Sequence, residues 1–209
     1  MKTHPSALIG PAASVLGAAR AVFRDADRGA VLLTGNPGVG KTALSDQLAL
    51  ELTGSRFSIE HVNGQSLGID LVRAWRERGA YGNLFSSWTV KRVDELDHAS
   101  SSAVAELLSY LDYLPARTAV LATTNDYGKL QALNKGRLES RFIRFQVDAP
   151  SVRQTAMHLC KKFCISASAA EAIARGAVPE GCLESEGCNV RAAEHDARGY
   201  KAARKGARQ

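Results

Sequence analysis

One octapeptide, Gly35-Asn36-Pro37-Gly38-Val39-Gly40-Lys41-Thr42, constrains this chain more than anything else in it. It follows the apolar run Ala30-Val31-Leu32-Leu33-Thr34, which reads as a strand buried on both faces. It precedes Leu44, Leu48 and Leu52, spaced by four as on one face of a helix. Glycines let the backbone wrap tightly, so that successive N–H groups can converge on phosphate oxygens, and the helix that follows adds the positive end of its dipole. Gly-x-x-x-x-Gly-Lys-Thr between a strand and a helix is a Walker A loop. Gly35, Asn36, Pro37, Gly38, Val39 and Gly40 are therefore expected to wrap the phosphates of ATP. Lys41 supplies a point charge to the β- and γ-phosphates, and the Thr42 hydroxyl binds Mg²⁺.

A Walker A loop alone does not separate kinases, GTPases and ATPases. Val93-Asp94-Glu95 ends a run expected to be a strand from about residue 87, fifty-odd residues past Lys41. An adjacent parallel strand would bring this pair to the phosphate loop. Asp94 would then hold Mg²⁺, and Glu95 would orient and deprotonate the attacking water, a role an ATPase needs and a kinase does not. Lys91 and Arg92 sit oddly inside a strand expected to be apolar. Leu121-Ala122-Thr123-Thr124-Asn125 reads as another strand ending in an amide that can bridge water and γ-phosphate. Arg141 and Arg191 are the remaining candidates for charge stabilisation in phosphoryl transfer, although a lone arginine defaults to a surface ion pair.

The rest of the pattern predicts helices over 12–26, 68–78 and 100–112, and strands over 57–62, 118–123 and 142–145. In the 57–62 strand Phe57, Ile59 and His61 would share a face. After Pro150 the strands stop, and helices are expected over 151–164, 166–175 and 189–204. Alternation followed by helices alone predicts an α/β fold, a P-loop parallel sheet sandwiched by helices over residues 1–150, then a small all-helical lid over 151–209.

The chain has 209 residues, with 27 Lys and Arg against 21 Asp and Glu, a net charge of +6. No apolar run is long enough to span a membrane, and Met1–Pro5 lacks a secretory apolar core, so an intracellular, cytoplasmic chain is expected, nucleoid-associated if it meets DNA. The charge concentrates late: from Arg191 to Gln209 six basic residues face only Glu194 and Asp196. Such a tail can meet nucleic-acid phosphates or end as a solvated helix. Arg73, Arg76 and Arg78 form a second basic stripe, open to the same two readings. Cys160, Cys164, Cys182 and Cys188 lack the CxxC spacing of a zinc site and read as free thiols. The five histidines show no metal spacing, and Trp75, Tyr81, Phe85 and Trp88 read as packing residues rather than as a platform for single-stranded bases.

In their order along the chain these motifs resemble AAA+ ATPases, and the resemblance extends over nearly the whole sequence. It implies Walker A at 35–42, Walker B at 90–95, sensor 1 at Asn125, an arginine finger at Arg141 in Ser140-Arg141-Phe142, and a sensor 2 arginine at Arg191 on the lid. Glu60-His61-Val62-Asn63 with Gly68–Arg73, Asp94-Glu95-Leu96-Asp97 with Ser102–Leu108, and Thr123-Thr124-Asn125 resemble the clamp-loader subunits of the replication factor C type. The resemblance implies a homo- or hetero-oligomer in which Arg141 acts in trans, with DNA or a replication protein as partner and no membrane. Phe142 departs from the Ser-Arg-Cys box of clamp loaders, the bacterial zinc insertion is missing after Walker A, and the 209 residues hold no collar segment. A helicase loader, a transposition regulator or a protein-remodelling ATPase would share the same core. A non-hydrolysing scaffold subunit that binds ATP and donates a finger is a further alternative, against which Lys41 and Glu95 speak.

Overall fold

In the computed structural model, which describes residues 8–79, 86–134, 136–179 and 187–206, the strand at the centre of the sheet is buried at every position. This is β4 (Thr118–Thr124), apolar but for its threonines, as a strand covered on both faces must be. Around it lie β1 (Arg28–Thr34), β2 (Ile59–Asn63), β3 (Thr89–Asp94) and β5 (Ile143–Gln146), all parallel, in the order β2-β3-β4-β1-β5. The helices are α1 (Pro11–Arg24), α2 (Lys41–Thr53), α3 (Ile69–Arg78), α4 (Ser101–Asp112) and α5 (Tyr127–Asn134), then α6 (Val152–Phe163), α7 (Ala167–Gly176) and α8 (Val190–Gly206). The fold is the α/β fold expected, a parallel sheet with flanking helices and an all-helical C-terminal region. No helix among the described residues is long and apolar enough to cross a membrane.

Period two along the strands sorts the core into two layers. Ala30, Leu32, Val93, Val120 and Ala122 pack with Val72 and Trp75 of α3 and with Ala103, Val104, Leu107 and Leu108 of α4. On the other face lie Val31, Leu33, Val90 and Leu121, with the buried Leu44, Leu48 and Ala49 of α2 nearby. The described residues gather into two compact units. One comprises Val15–Gly35 and Lys41–Gln146; the other joins Val147–Gln209 with Asn36–Gly40 and the residues up to Ser14. Within the second, small side chains (Ala156, Ala170, Ala174, Ala193 and Ala197) let α6, α7 and α8 pack closely around Leu159 and Phe163. A capping box between Ser151 and Gln154 starts α6, and Cys164 in the left-handed conformation (φ 55°) ends it.

Three expectations change. β3 does not neighbour β1, because β4 is inserted between them, a placement that puts the strand buried at every position in the middle of the sheet. The strand expected from Phe57 starts at Ile59. Ser55 Oγ accepts the Phe57 N–H at 3.3 Å and turns Arg56–Ser58 into a 3₁₀ turn, which leaves Phe57 85% exposed. Helix α5 was not foreseen, since Gly128 and its polar neighbours obscure its period. Tyr81, Phe85, Cys182 and Arg208 lie outside the described residues.

Candidate nucleotide site

Parallel strands put all their C-terminal ends on one edge, and in the α/β unit the polar residues of interest collect there. The register aligns Asn63 with Asp94 and Thr34 with Thr124. Lys41, the first residue of α2, is 7% exposed, and its Nζ donates to Gly35 O at 2.6 Å and to Asn125 Oδ1 at 2.8 Å. The ammonium thus joins the end of β1 to the residue after β4. Asn125 is itself held: the buried Asp97 accepts from the Asn125 N–H at 3.2 Å and from Thr124 Oγ1 at 2.8 Å.

Glu95 follows β3 in the left-handed conformation (φ 55°, ψ 53°), which costs a non-glycine residue about 1–2 kcal/mol. Its N–H donates to Thr123 Oγ1 at 3.1 Å, and Asn63 Nδ2 donates to its Oε2 at 3.1 Å. A Cβ at Gly64 would stand 2.1 Å from the Glu95 carbonyl, so only glycine permits this approach of the two backbones. Asp94, 7% exposed, has Arg92 Nη2 at 3.1 Å and His61 Nε2 at 2.9 Å on Oδ2, and the Thr123 hydroxyl at 3.4 Å on Oδ1.

The two basic residues of β3 are both buried and both paired. Lys91 is hydrogen-bonded to Glu60 Oε1 and lies over the Trp75 ring, while Trp75 Nε1 donates to Glu60 Oε2 at 2.8 Å. Burial pushes the Lys91 ammonium below the ordinary lysine range, against the opposing pull of Glu60. Arg92 lies on the opposite face and bridges Asp94 to Asp46 of α2.

Arg141 stands in the turn before β5. Asp112 binds it through two atoms, Nε at 2.8 Å and Nη2 at 2.9 Å, and its Nη1 donates to Ser140 Oγ and to Arg137 O. Of the basic stripe on α3, Arg76 contacts Glu106 at 3.3 Å, Arg78 contacts Glu60 at 3.4 Å, and Arg73 lies 4.0 Å from Asp70 with 60% of its side chain exposed.

In the other unit Gly38 and Gly40 hold φ of +83° and +102°. The Asn189 Oδ1 atom would be 2.0 Å from a Cβ at Gly38, and the same oxygen accepts the Ala192 N–H at 3.1 Å at the start of α8. Arg191 is exposed in that first turn.

The residues of the α/β unit fit Mg²⁺ and a phosphate group: a buried lysine points into the edge, Thr42 is exposed, and among the described residues Asp94 keeps one oxygen with a single long hydrogen bond. Within the other unit, Gly38 and Gly40 take conformations that glycine adopts freely. His61, Asn63, Arg92, Asp97, Thr123 and Asn189 were not singled out as site residues from the sequence. For Asn63 and Thr123 the available signal was a polar residue at the C-terminal end of a strand.

A family model described as "ATPase family associated with various cellular activities (AAA)" matches residues 31–146, more than half of the chain. Among solved structures, the RuvB Holliday junction branch migration motor of Thermotoga maritima superposes with a TM-score of 0.66 at 24% identity. That match covers 91% of this chain and 61% of the other. A DNA polymerase III gamma subunit-related protein of Thermotoga maritima gives 0.58 at 16% identity, covering 76% of this chain and 57% of that one. At these identities the likeness is one of fold, and the chain spans roughly three-fifths of the structures it matches. No curated protein sequence matches the chain.

Proposed function

This chain belongs to the AAA family of ATPases, and from that premise we propose that it hydrolyses ATP as an oligomer and couples the cycle to DNA or a DNA-bound partner, in the manner of a clamp loader. The observation that carries the reading is the Lys41–Asn125 hydrogen bond of 2.8 Å, which ties the Walker A lysine to the strand flanking Asp94 and Glu95.

In this reading the backbone of Gly35–Gly40 wraps the phosphates and Lys41 neutralises charge on the β- and γ-phosphates. Thr42 and Asp94 hold Mg²⁺, which shields the triphosphate and stabilises the charge of its transfer state. Glu95, steadied by Asn63, takes the proton of the attacking water. Asn125 positions that water, and Arg191 answers to the nucleotide of its own subunit. Arg141 stabilises transfer in the site of a neighbouring subunit, which requires an assembly. The DNA reading draws on the names of the two fold relatives, a branch migration motor and a polymerase III-related protein. Arg73, the most exposed arginine of its stripe, is the first residue offered to a phosphate backbone, with Arg76 and Arg78 behind it.

Mixed subunits test this. Lys41→Ala protein keeps its finger and loses its own site; Arg141→Ala protein keeps its site and loses its finger. Combined, they should hydrolyse ATP faster than either alone, and DNA should stimulate the wild-type rate. A mixture no faster than the sum of its parts contradicts action in trans, and a rate indifferent to DNA contradicts the coupling.

A further inference from the structure

Arg92 has no use in a generic strand core, where a guanidinium must be matched by carboxylates to be buried at all. Here its side chain is 8% exposed, one nitrogen meets Asp46, and another meets Asp94 Oδ2 at 3.1 Å. Asp46 lies on α2 four residues after Thr42, on the same helix face, with 56% of its side chain exposed. One cation is thus divided between a surface acid on the Walker A helix and the Walker B aspartate. His61 Nε2, 2.9 Å away, completes the set of donors on Oδ2.

The two oxygens of Asp94 are unequal as a result. Oδ2 is occupied by Arg92 and His61, whereas among the described residues Oδ1 has only the Thr123 hydroxyl at 3.4 Å, long for a hydroxyl donating to a carboxylate. A divalent cation approaching Oδ1, directly or through water, meets a carboxylate whose charge is offset in part by the guanidinium it shares with Asp46.

We infer that Arg92 is a positioning residue that aims Asp94 Oδ1 at the metal and restrains its grip, so that the sharing of one guanidinium between Asp94 and Asp46 sets how much Mg²⁺ the site demands. The inference rests on the reading of Asp94 as a metal residue. Arg92→Met frees the full charge of Asp94 and strengthens metal binding. Asp46→Asn does the reverse, since the guanidinium then leans on Asp94 alone.

The test titrates MgCl₂ into the full chain with a fluorescent, non-hydrolysable ATP analogue and reads the Mg²⁺ concentration at half-maximal binding, with no turnover involved. Arg92→Met should lower it about tenfold and Asp46→Asn should raise it about threefold, as one unit charge at close range implies in a partly solvated site. Arg92→Lys, which restores the charge, should return it toward the wild-type value. Asp94→Asn should raise it most. If Asp94→Asn shifts the midpoint while Arg92→Met and Asp46→Asn leave it in place, Arg92 is core filler and the inference falls, with the metal role of Asp94 intact. If Asp94→Asn leaves it in place, that role falls and the inference with it. Should Arg92→Met fail to fold, the exposed Asp46→Asn decides alone: a raised midpoint supports the inference, and an unchanged or lowered one overturns it.

Discussion

Removing Glu60 from beneath Lys91 should destabilise the fold far more than removing Lys91 itself. Lys91 is 4% exposed, and Glu60 is the carboxylate it is bonded to; Glu60 also accepts from Trp75 Nε1 at 2.8 Å and pairs with Arg78. Breaking a buried pair by deleting one partner strands the other, at a cost of about 3–5 kcal/mol. Glu60 is 37% exposed, so water reaches the pair and the lower end, about 3 kcal/mol, applies to Glu60→Ala. Lys91→Met keeps the volume and removes the charge, leaving Glu60 solvated and bonded to Trp75, and should stay within about 1 kcal/mol of wild type. The double variant keeps only the loss of the Trp75 acceptor, about 1 kcal/mol, and so recovers about 2 kcal/mol. Urea unfolding of the four proteins measures this. The pH dependence has a sign: the folded protein holds the Lys91 proton less tightly than the unfolded chain, so folding gains as pH rises from the lowered pKa toward 10.5, and Lys91→Met loses that gain. Equal losses in Glu60→Ala and the double variant would refute the reasoning.

Other perturbations separate the remaining parts. Gly38→Ala forces a side chain onto Asn189 at a φ of +83° and should weaken ATP binding at least about tenfold by calorimetry, with the α/β unit still folded. Asp112→Asn releases Arg141 from a part-exposed pair worth under about 1 kcal/mol, so the melting temperature should barely move. Turnover of the assembled protein should rise by about two- to fivefold. Glu194 is pushed up by burial, but the hydrogen bonds and the charge attraction of Lys162 and His158 together outweigh that and hold its carboxyl below the usual glutamate range. Its contribution is present above pH 4.5 and fades as pH falls through the lowered value. Denaturation of Glu194→Gln should therefore differ from wild type at neutral pH and converge with it in acid.

The sequence showed which residue types cluster on the sheet edge better than how they reach one another. Walker A, the alternation of strands and helices, and the helices after Pro150 were legible because each is a local pattern of glycines or a period. The order of strands was not: that β4 separates β1 from β3 follows from burying Thr118–Thr124 on both faces, which no local period encodes. Lys91 and Arg92 looked misplaced for the same reason. Their partners Glu60 and Asp46 lie 31 and 46 residues away, and only the packed sheet brings them together. Phe57 shows the opposite failure, a β-forming residue diverted into a turn in which its N–H donates to Ser55 Oγ.

The central claim, that Glu95 drives hydrolysis at a Walker A site anchored by Lys41 and Asn125, is met most directly by comparing Glu95→Gln with wild type in ATP binding and in steady-state phosphate release. The substitution keeps the side chain's shape and its ability to accept from Asn63, and removes the base. Undiminished binding with turnover reduced at least about a hundredfold is the result the account predicts; turnover at the wild-type rate contradicts it.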